Sequence, residues 1–235
     1  MKKIFRQGVI TNVILFCLFL SVAIVGFLPE KTVPISGENN VTAIYNGNRS
    51  EKRVSLMFNV YENSKVVNAI IDLLNERELK ATFFVGGCWA DDNAETLVRM
   101  VDGGHEIANH GYFHKDHKKL DYEKNLQEIK LTGTIVYALC SYKTTLFAPP
   151  SGSFSEETLV AASELGYKVI MWSKDTIDWR DKDENKVYSR ATKNVTNGDL
   201  ILMHPKEHTL KALPRVLDYF EDIGLKQVTV SQNLS

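Results

Sequence analysis

The sequence predicts an α/β fold, a barrel of about seven parallel strands wrapped by helices and preceded by a membrane-spanning helix. Three observations carry this expectation. Short apolar runs alternate with amphipathic segments from Arg53 onward, the unusual polar residues fall at the ends of those runs, and a long uncharged run comes before them. The 235 residues are 44% hydrophobic and 24% charged, enough for one domain with a sizeable core. Against 28 basic residues stand 29 acidic ones, a net charge of -1 that gives no electrostatic reason to expect nucleic acid, so no nucleic-acid partner is expected.

The uncharged run, Val9 to Leu28, has the roughly 20 residues that a helix needs to cross a bilayer. Lys2, Lys3 and Arg6 precede it, so residues 1–8 are expected on the cytoplasmic side and the remainder on the extracytoplasmic side. A cleaved signal peptide is the rival, but it has a shorter apolar core and a small-residue cleavage site, which "VGFLPEK" does not supply. Residues 9–28 are therefore expected to be an anchor. Residues 29–53 are polar and rich in turn formers, a tether by composition, which leaves residues 54–235 for the barrel. Cys88 follows a strand and Cys140 a helix, so the two are expected at opposite ends of the barrel, unpaired.

Along the barrel, "VSLMFNV" reads as a strand, "SKVVNAIIDLLNERE" as a helix with apolar residues at helical spacing, and "ATFFVGG" as a strand. "NAETLVRMVDGG" is a helix stopped by Gly103 and Gly104, and "HEIANH" a short strand. "YEKNLQEIKLTGTIVYAL" is a helix, "TLFAPP" a strand closed by prolines, and "SEETLVAASELG" a helix with Ser155 as N-cap. "YKVIMW", "GDLILMH" and "LKQVTVS" supply later strands, and "TLKALPRVLDYFEDIG" is the helix before the last. Asn59, His110, the Ala148–proline segment, Asp175 and His204 each come at or just after a strand end. Five strand ends contributing to one face favour a barrel over an open sheet, which gathers its site at one switch point.

"NHGYFHKDH" places three of the six histidines within a few positions. His110 and His114 are four apart, a spacing that puts two imidazoles on one side of a turn as a metal pair requires, although two solvated loop histidines would read the same way.

More specific is the segment "GHEIANHGYFH", which resembles the histidine motif of the polysaccharide deacetylases, the NodB-like carbohydrate esterases. Further motifs follow in order: "FAPPSG" where that family has Arg-Pro-Pro-aromatic-Gly, "DTIDW" for its Asp-containing motif, and "LILMHP" for its closing Leu-x-x-His. The resemblance runs from about Arg53 to Val230. It implies a distorted (β/α) barrel and removal of N-acetyl groups from amino sugars, with a divalent metal, commonly zinc, activating water. The implied partner is an N-acetylated polysaccharide such as peptidoglycan or a chitin-like glycan. Carried over by position, His110 and His114 are the metal pair, His204 the acid that protonates the departing amine, and Asp175 the carboxylate that orients it. Trp179, Pro150 and Ser151 are expected at the sugar.

The departures from the family pattern are as specific as the matches. Where it has Thr-Phe-Asp-Asp-Gly, this chain has "MFNVY": Asn59 stands for the catalytic base and Val60 for the third metal ligand. Ala148 replaces the Arg that pairs with the base. Losing both together is coherent, because an Arg whose partner has become a neutral amide would be a partly buried, uncompensated charge. Asn59 cannot act as a base, but it can hydrogen-bond a water or a carbonyl. Glu62, Asp116, His117 and Asp175 are the candidates to complete a metal site. Two functions follow: a membrane-anchored hydrolase of the deacetylase type with an altered site, or a catalytically silent barrel that binds glycan or a partner through the same cleft.

Overall fold

The computed structural model describes residues 41–235. The expected anchor at residues 9–28 lies outside the described residues. Among the described residues no helix is long and apolar enough to cross a membrane.

The architecture is built around β1 (Arg53–Val60), which is buried from Val54 to Val60. Its side chains alternate between two apolar layers. Val54, Leu56, Phe58 and Val60 face an outer layer shared with Ile70, Ile71 and Leu74, whereas Met57 faces an inner cluster with Phe84, Ala108, Ala148 and Leu202. A parallel strand covered on both sides needs a near-continuous apolar run, and "VSLMFNV" is one. From there the chain alternates through α1 (Ser64–Glu76), β2 (Thr82–Val85), α2 (Gly87–Asp92), α3 (Ala94–Asp102), β3 (Glu106–Asn109) and α4 (Tyr122–Cys140). It continues with β4 (Leu146–Phe147), α5 (Glu156–Glu164), β5 (Lys168–Val169), β6 (Lys174–Asp175) and α6 (Glu184–Thr192). Last come β7 (Asp199–Met203), α7 (Glu207–Asp222), β8 (Lys226–Gln227) and α8 (Val230–Leu234).

All strand pairs are parallel, in the order β5-β4-β3-β2-β1-β7-β6, with β8 beside the start of β1. β5 and β6 are the two ends of this path and do not pair with each other, an α/β arrangement consistent with a distorted, incompletely closed barrel. Three expectations change here. The strand "YKVIMW" is shorter than expected: pairing stops at Val169, and a further short strand outside that run, β6, begins at Lys174 against β7. "LKQVTVS" pairs only at Lys226 and Gln227, because Thr229 caps α8 and Gln232 answers it in a reciprocal capping box, a local signal stronger than the β-branched run. The tether also ends earlier than residue 53. Ile44 bridges Ile170, Asn46 bridges Asp199, and the Gly47 N–H donates to Gly198 O at 2.7 Å. These are isolated bridges, which leave no periodic signature in the sequence.

Several helices start on side-chain caps. Asp121 accepts from the Lys124 N–H at 2.9 Å to start α4, and Ser155 and Thr158 form a capping box at α5. At the end of β3, buried Asn109 turns the chain toward the histidine loop. Its amide donates to Ile129 O at 2.7 Å and its Oδ1 accepts from the Gly111 N–H at 2.9 Å. Gly111 has φ 73°, and a Cβ there would come within 2.9 Å of His117 Nε2, so no side chain fits. Replacing Asn109 by Ala removes both bonds and leaves buried partners unpaired. An Asn109→Ala variant is expected to lose roughly 2–3 kcal/mol, read as a lower urea midpoint at unchanged m-value.

Candidate active site

A cavity of about 240 Å³ opens at the C-terminal ends of the strands, lined by Asn59, Tyr61, His110, His114, Ser151, Trp172, Asp175, Trp179, Leu202 and His204. Seven of these were expected at the site from sequence; Tyr61, Trp172 and Leu202 were not. Pro150 is buried beside Ser151, in a short 3₁₀ turn over Pro150–Gly152, and does not line the cavity.

His110 follows β3 and is 1% exposed. Its Nδ1–H donates to Ala148 O at 2.8 Å, which turns the Nε2 lone pair the other way, where it has no partner. Burial, followed by the neighbouring His114, pushes the His110 pKa well below its ordinary value, and burial lowers His114 too. Both are therefore neutral imidazoles. Their ring centroids are 5.1 Å apart. The loop between them is held by Glu128 of α4, whose carboxylate accepts the N–H groups of Tyr112 and Phe113 at 2.9 and 2.8 Å and pairs with Lys115 at 3.0 Å. The sequence reading missed Glu128 because, on an amphipathic helix, a glutamate reads as solvated.

His204 follows β7, and its carboxylate partner is Asp178, not Asp175. Asp178 Oδ1 accepts from His204 Nδ1 at 2.7 Å, while its Oδ2 accepts from the His204 N–H and from Thr209 Oγ1, each at 2.7 Å. Burial would raise the Asp178 carboxyl pKa, but these bonds from His204 and Thr209 hold it below the usual range. Asp175 is turned back on its own chain, accepting the Ile177 N–H at 2.7 Å, with Trp179 Nε1 3.5 Å from its other oxygen. Ile177 has φ 53°, and this tight turn brings the second Asp of "DTIDW" to His204. Trp179 is 54% exposed at the rim.

The third-ligand candidates are engaged elsewhere. Glu62 pairs with Lys206. Asp116 accepts from Ser153 Oγ at 2.6 Å and pairs with Lys119 at 3.0 Å. His117 is fully buried, its Nδ1 2.7 Å from Asn125 Oδ1. Val60 belongs to the outer apolar layer and does not face the cavity. Among the described residues no group of three or more His, Cys, Asp or Glu side chains could hold a metal ion. A catalytic zinc takes three protein ligands and keeps one open position. The orphaned His110 Nε2 and the nearby His114 form half of such a site, and this donor set does not fit a resident catalytic zinc.

Asn59, 2% exposed, is the inward residue at the end of β1, and its Oδ1 has no hydrogen-bond partner. Ala148, in the place of the family's Arg, packs into the inner apolar cluster. Tyr61 stacks on the histidines, its ring centroid 4.0 Å from His114 and 6.3 Å from His110.

The comparisons agree with this geometry. The family pattern described as polysaccharide deacetylase matches residues 46–170. The uncharacterized protein YlxY of Bacillus subtilis is 32% identical over 80% of this chain. The peptidoglycan-N-acetylmuramic acid deacetylase PdaC of the same organism is 31% identical over 78%. The chain spans 59% of the length of YlxY and 39% of that of PdaC. Among solved structures, a CE4 family pseudoenzyme from Bacillus anthracis superimposes with a TM-score of 0.80 at 31% identity, over 83% of this chain and 69% of that one. A mutant of that pseudoenzyme, described as having restored enzymatic activity, superimposes equally, with a TM-score of 0.80 at 29% identity, over 83% of this chain and 71% of that one. The described barrel, its histidine motifs and these matches lead to one assignment: the chain belongs to the polysaccharide deacetylase family.

Proposed function

We propose that this barrel is a non-hydrolysing member of its family that holds an N-acetylated glycan of the peptidoglycan type in the cavity between His110 and His204. The observation that carries the reading is Asn59. Deacetylation needs a group that takes a proton from the attacking water, and a neutral amide at the end of β1 cannot take one. Val60 and Ala148 remove the other two charged parts expected there, and both are packed into apolar layers rather than left as gaps. The Bacillus anthracis neighbour is itself described as a pseudoenzyme, and PdaC is named for action on peptidoglycan, which supports both halves of the reading. We also propose that residues 9–28 anchor the chain in the membrane with the barrel on the extracytoplasmic side, where such a polymer would be met; the basic residues before the run support this orientation.

One observation favours the rival reading, a working deacetylase. The pair of His204 and Asp178 is intact, with the imidazole held by both ring and backbone and able to protonate a leaving amine. That reading would require a third metal donor beyond His110 and His114, which the described residues do not supply.

Titration of the full chain with soluble N-acetylated peptidoglycan fragments, read in parallel for bound glycan and released acetate, separates the two. Saturable binding without acetate, with or without added zinc, is the expected result; catalytic acetate release by the unaltered protein would sink the proposal. The same assay tests whether the remaining machinery is competent. The combined variant Asn59→Asp/Val60→Asp/Ala148→Arg, supplied with zinc, is expected to release acetate at least about 100-fold above the unaltered protein, the low end of what a positioned base contributes. Adding His204→Ala should remove that gain. A gain that survives His204→Ala would mean that His204 is not the acid.

A further inference from the structure

The floor of the cavity holds two acceptors with nothing to accept from. Asn59 Oδ1 and His110 Nε2 are both buried and unpartnered, in residues 2% and 1% exposed. Because the His110 Nδ1–H is committed to Ala148 O, its Nε2 offers a lone pair. A buried acceptor left unmade costs roughly 1–3 kcal/mol, so a group that brings donors to this floor would be favoured there.

The walls are aromatic. Trp179 stands at the rim, and Trp172 is seated against Gly152, where a Cβ would lie only 2.6 Å from the indole ring. The third wall is Tyr61, at the position where the family pattern has glycine. Its loop is tied down on the far side of the cavity mouth: Glu62 pairs with Lys206, and the Asn63 amide donates to Pro205 O at 3.2 Å. So braced, the ring rests on His114 and still leaves the residue 37% exposed. A large aromatic held rigidly at a cavity mouth presents an apolar face at small entropic cost.

We propose that Tyr61 is a ligand-binding residue that completes a metal-free site for one N-acetylhexosamine unit. Tyr61, Trp172 and Trp179 receive the apolar faces of the pyranose and its acetyl methyl, while Asn59 Oδ1 and His110 Nε2 accept from the amide N–H and a hydroxyl. The proposal rests on the glycan-binding reading above and adds two claims to it: no metal takes part, and Tyr61 carries a share of the affinity.

Calorimetric titration of the full chain in detergent with tetra-N-acetylchitotetraose, and in parallel with a peptidoglycan disaccharide-repeat fragment, tests both claims. Affinity is expected to be the same in EDTA and in zinc. Tyr61→Ala is expected to weaken binding about tenfold, the scale of a lost aromatic contact, and Tyr61→Phe to stay within about twofold because the face and not the hydroxyl is used. Tyr61→Leu, which keeps bulk without a ring, should lose as much as Tyr61→Ala and guards against a collapsed loop in the smaller variant. Tyr137→Ala, an exposed tyrosine on α4, should change nothing. Unaltered affinity in both Tyr61→Ala and Tyr61→Leu overturns the role of Tyr61 and leaves the glycan reading standing. Binding abolished by EDTA and regained with zinc overturns the metal-free claim. Absence of binding by the unaltered protein to either glycan overturns the functional reading and this proposal together.

Discussion

The alternation of side chains along β1 governs everything at the cleft. Successive residues of a strand point to opposite faces, so Ser55, Met57 and Asn59 face the barrel interior while Val54, Leu56, Phe58 and Val60 feed the layer under the helices. The strand is locked in this register by seven of its eight residues being buried and by parallel neighbours on both sides. A slip of one residue would exchange the two faces along the whole strand. Asn59 therefore faces the cavity and the Val60 side chain packs in the apolar layer. A carboxylate at Val60 would have to be drawn out of an apolar layer, which only a strong ligand could compensate.

This constraint makes the departures at the site a single physical event rather than three unrelated substitutions. With a neutral Asn59, a guanidinium at position 148 would have no partner in a pocket bordered by Met57, Phe84 and Ala108, and burying it would cost more than an alanine that packs there. With no carboxylate at position 60, the two imidazoles lose their third donor and stay neutral, because burial already disfavours their charged forms. The result is an uncharged floor under His110 and Asn59, beside a His204–Asp178 pair that these losses do not touch.

Most of the order of strands and helices was legible in the sequence because both periodicities were clean where burial was two-sided, as in "VSLMFNV" and "LILMH", but the short helices α2 and α6 were not anticipated. Legibility failed where pairing was short or local. β5 and β6 each pair over only two residues, so the first was read too long and the second was not read at all, and the Ile44–Arg49 segment is held by isolated bridges and by Arg49 with Asp199 at 3.2 Å. At the site, spacing and motif order located His110, His114 and His204, yet "DTIDW" offered two carboxylates three residues apart. The one nearer the strand end was the wrong choice, because Asp175 spends an oxygen on the Ile177 N–H and the left-handed turn at Ile177 hands Asp178 to the histidine. No periodicity encodes a turn of that kind. A residue such as Tyr61, whose meaning comes from what it stacks on, was likewise invisible until His114 stood next to it.

The Glu62–Lys206 pair shows how the altered site is kept in shape. In an active deacetylase of the implied type, the loop after β1 would be organised by a metal bound through its own Asp and the two histidines. Here that loop is instead bound across the mouth to the segment after His204, by an ion pair and by Asn63 on the Pro205 carbonyl. Asn63 itself takes a left-handed conformation, which asparagine tolerates better than most residues, and its side chain also caps α1. The same few residues therefore start a helix, span the cleft and position Tyr61 over the imidazoles. With no carboxylate at position 60, the link that is present places an aromatic ring in the cavity instead. That placement is what the proposed ligand-binding role of Tyr61 rests on.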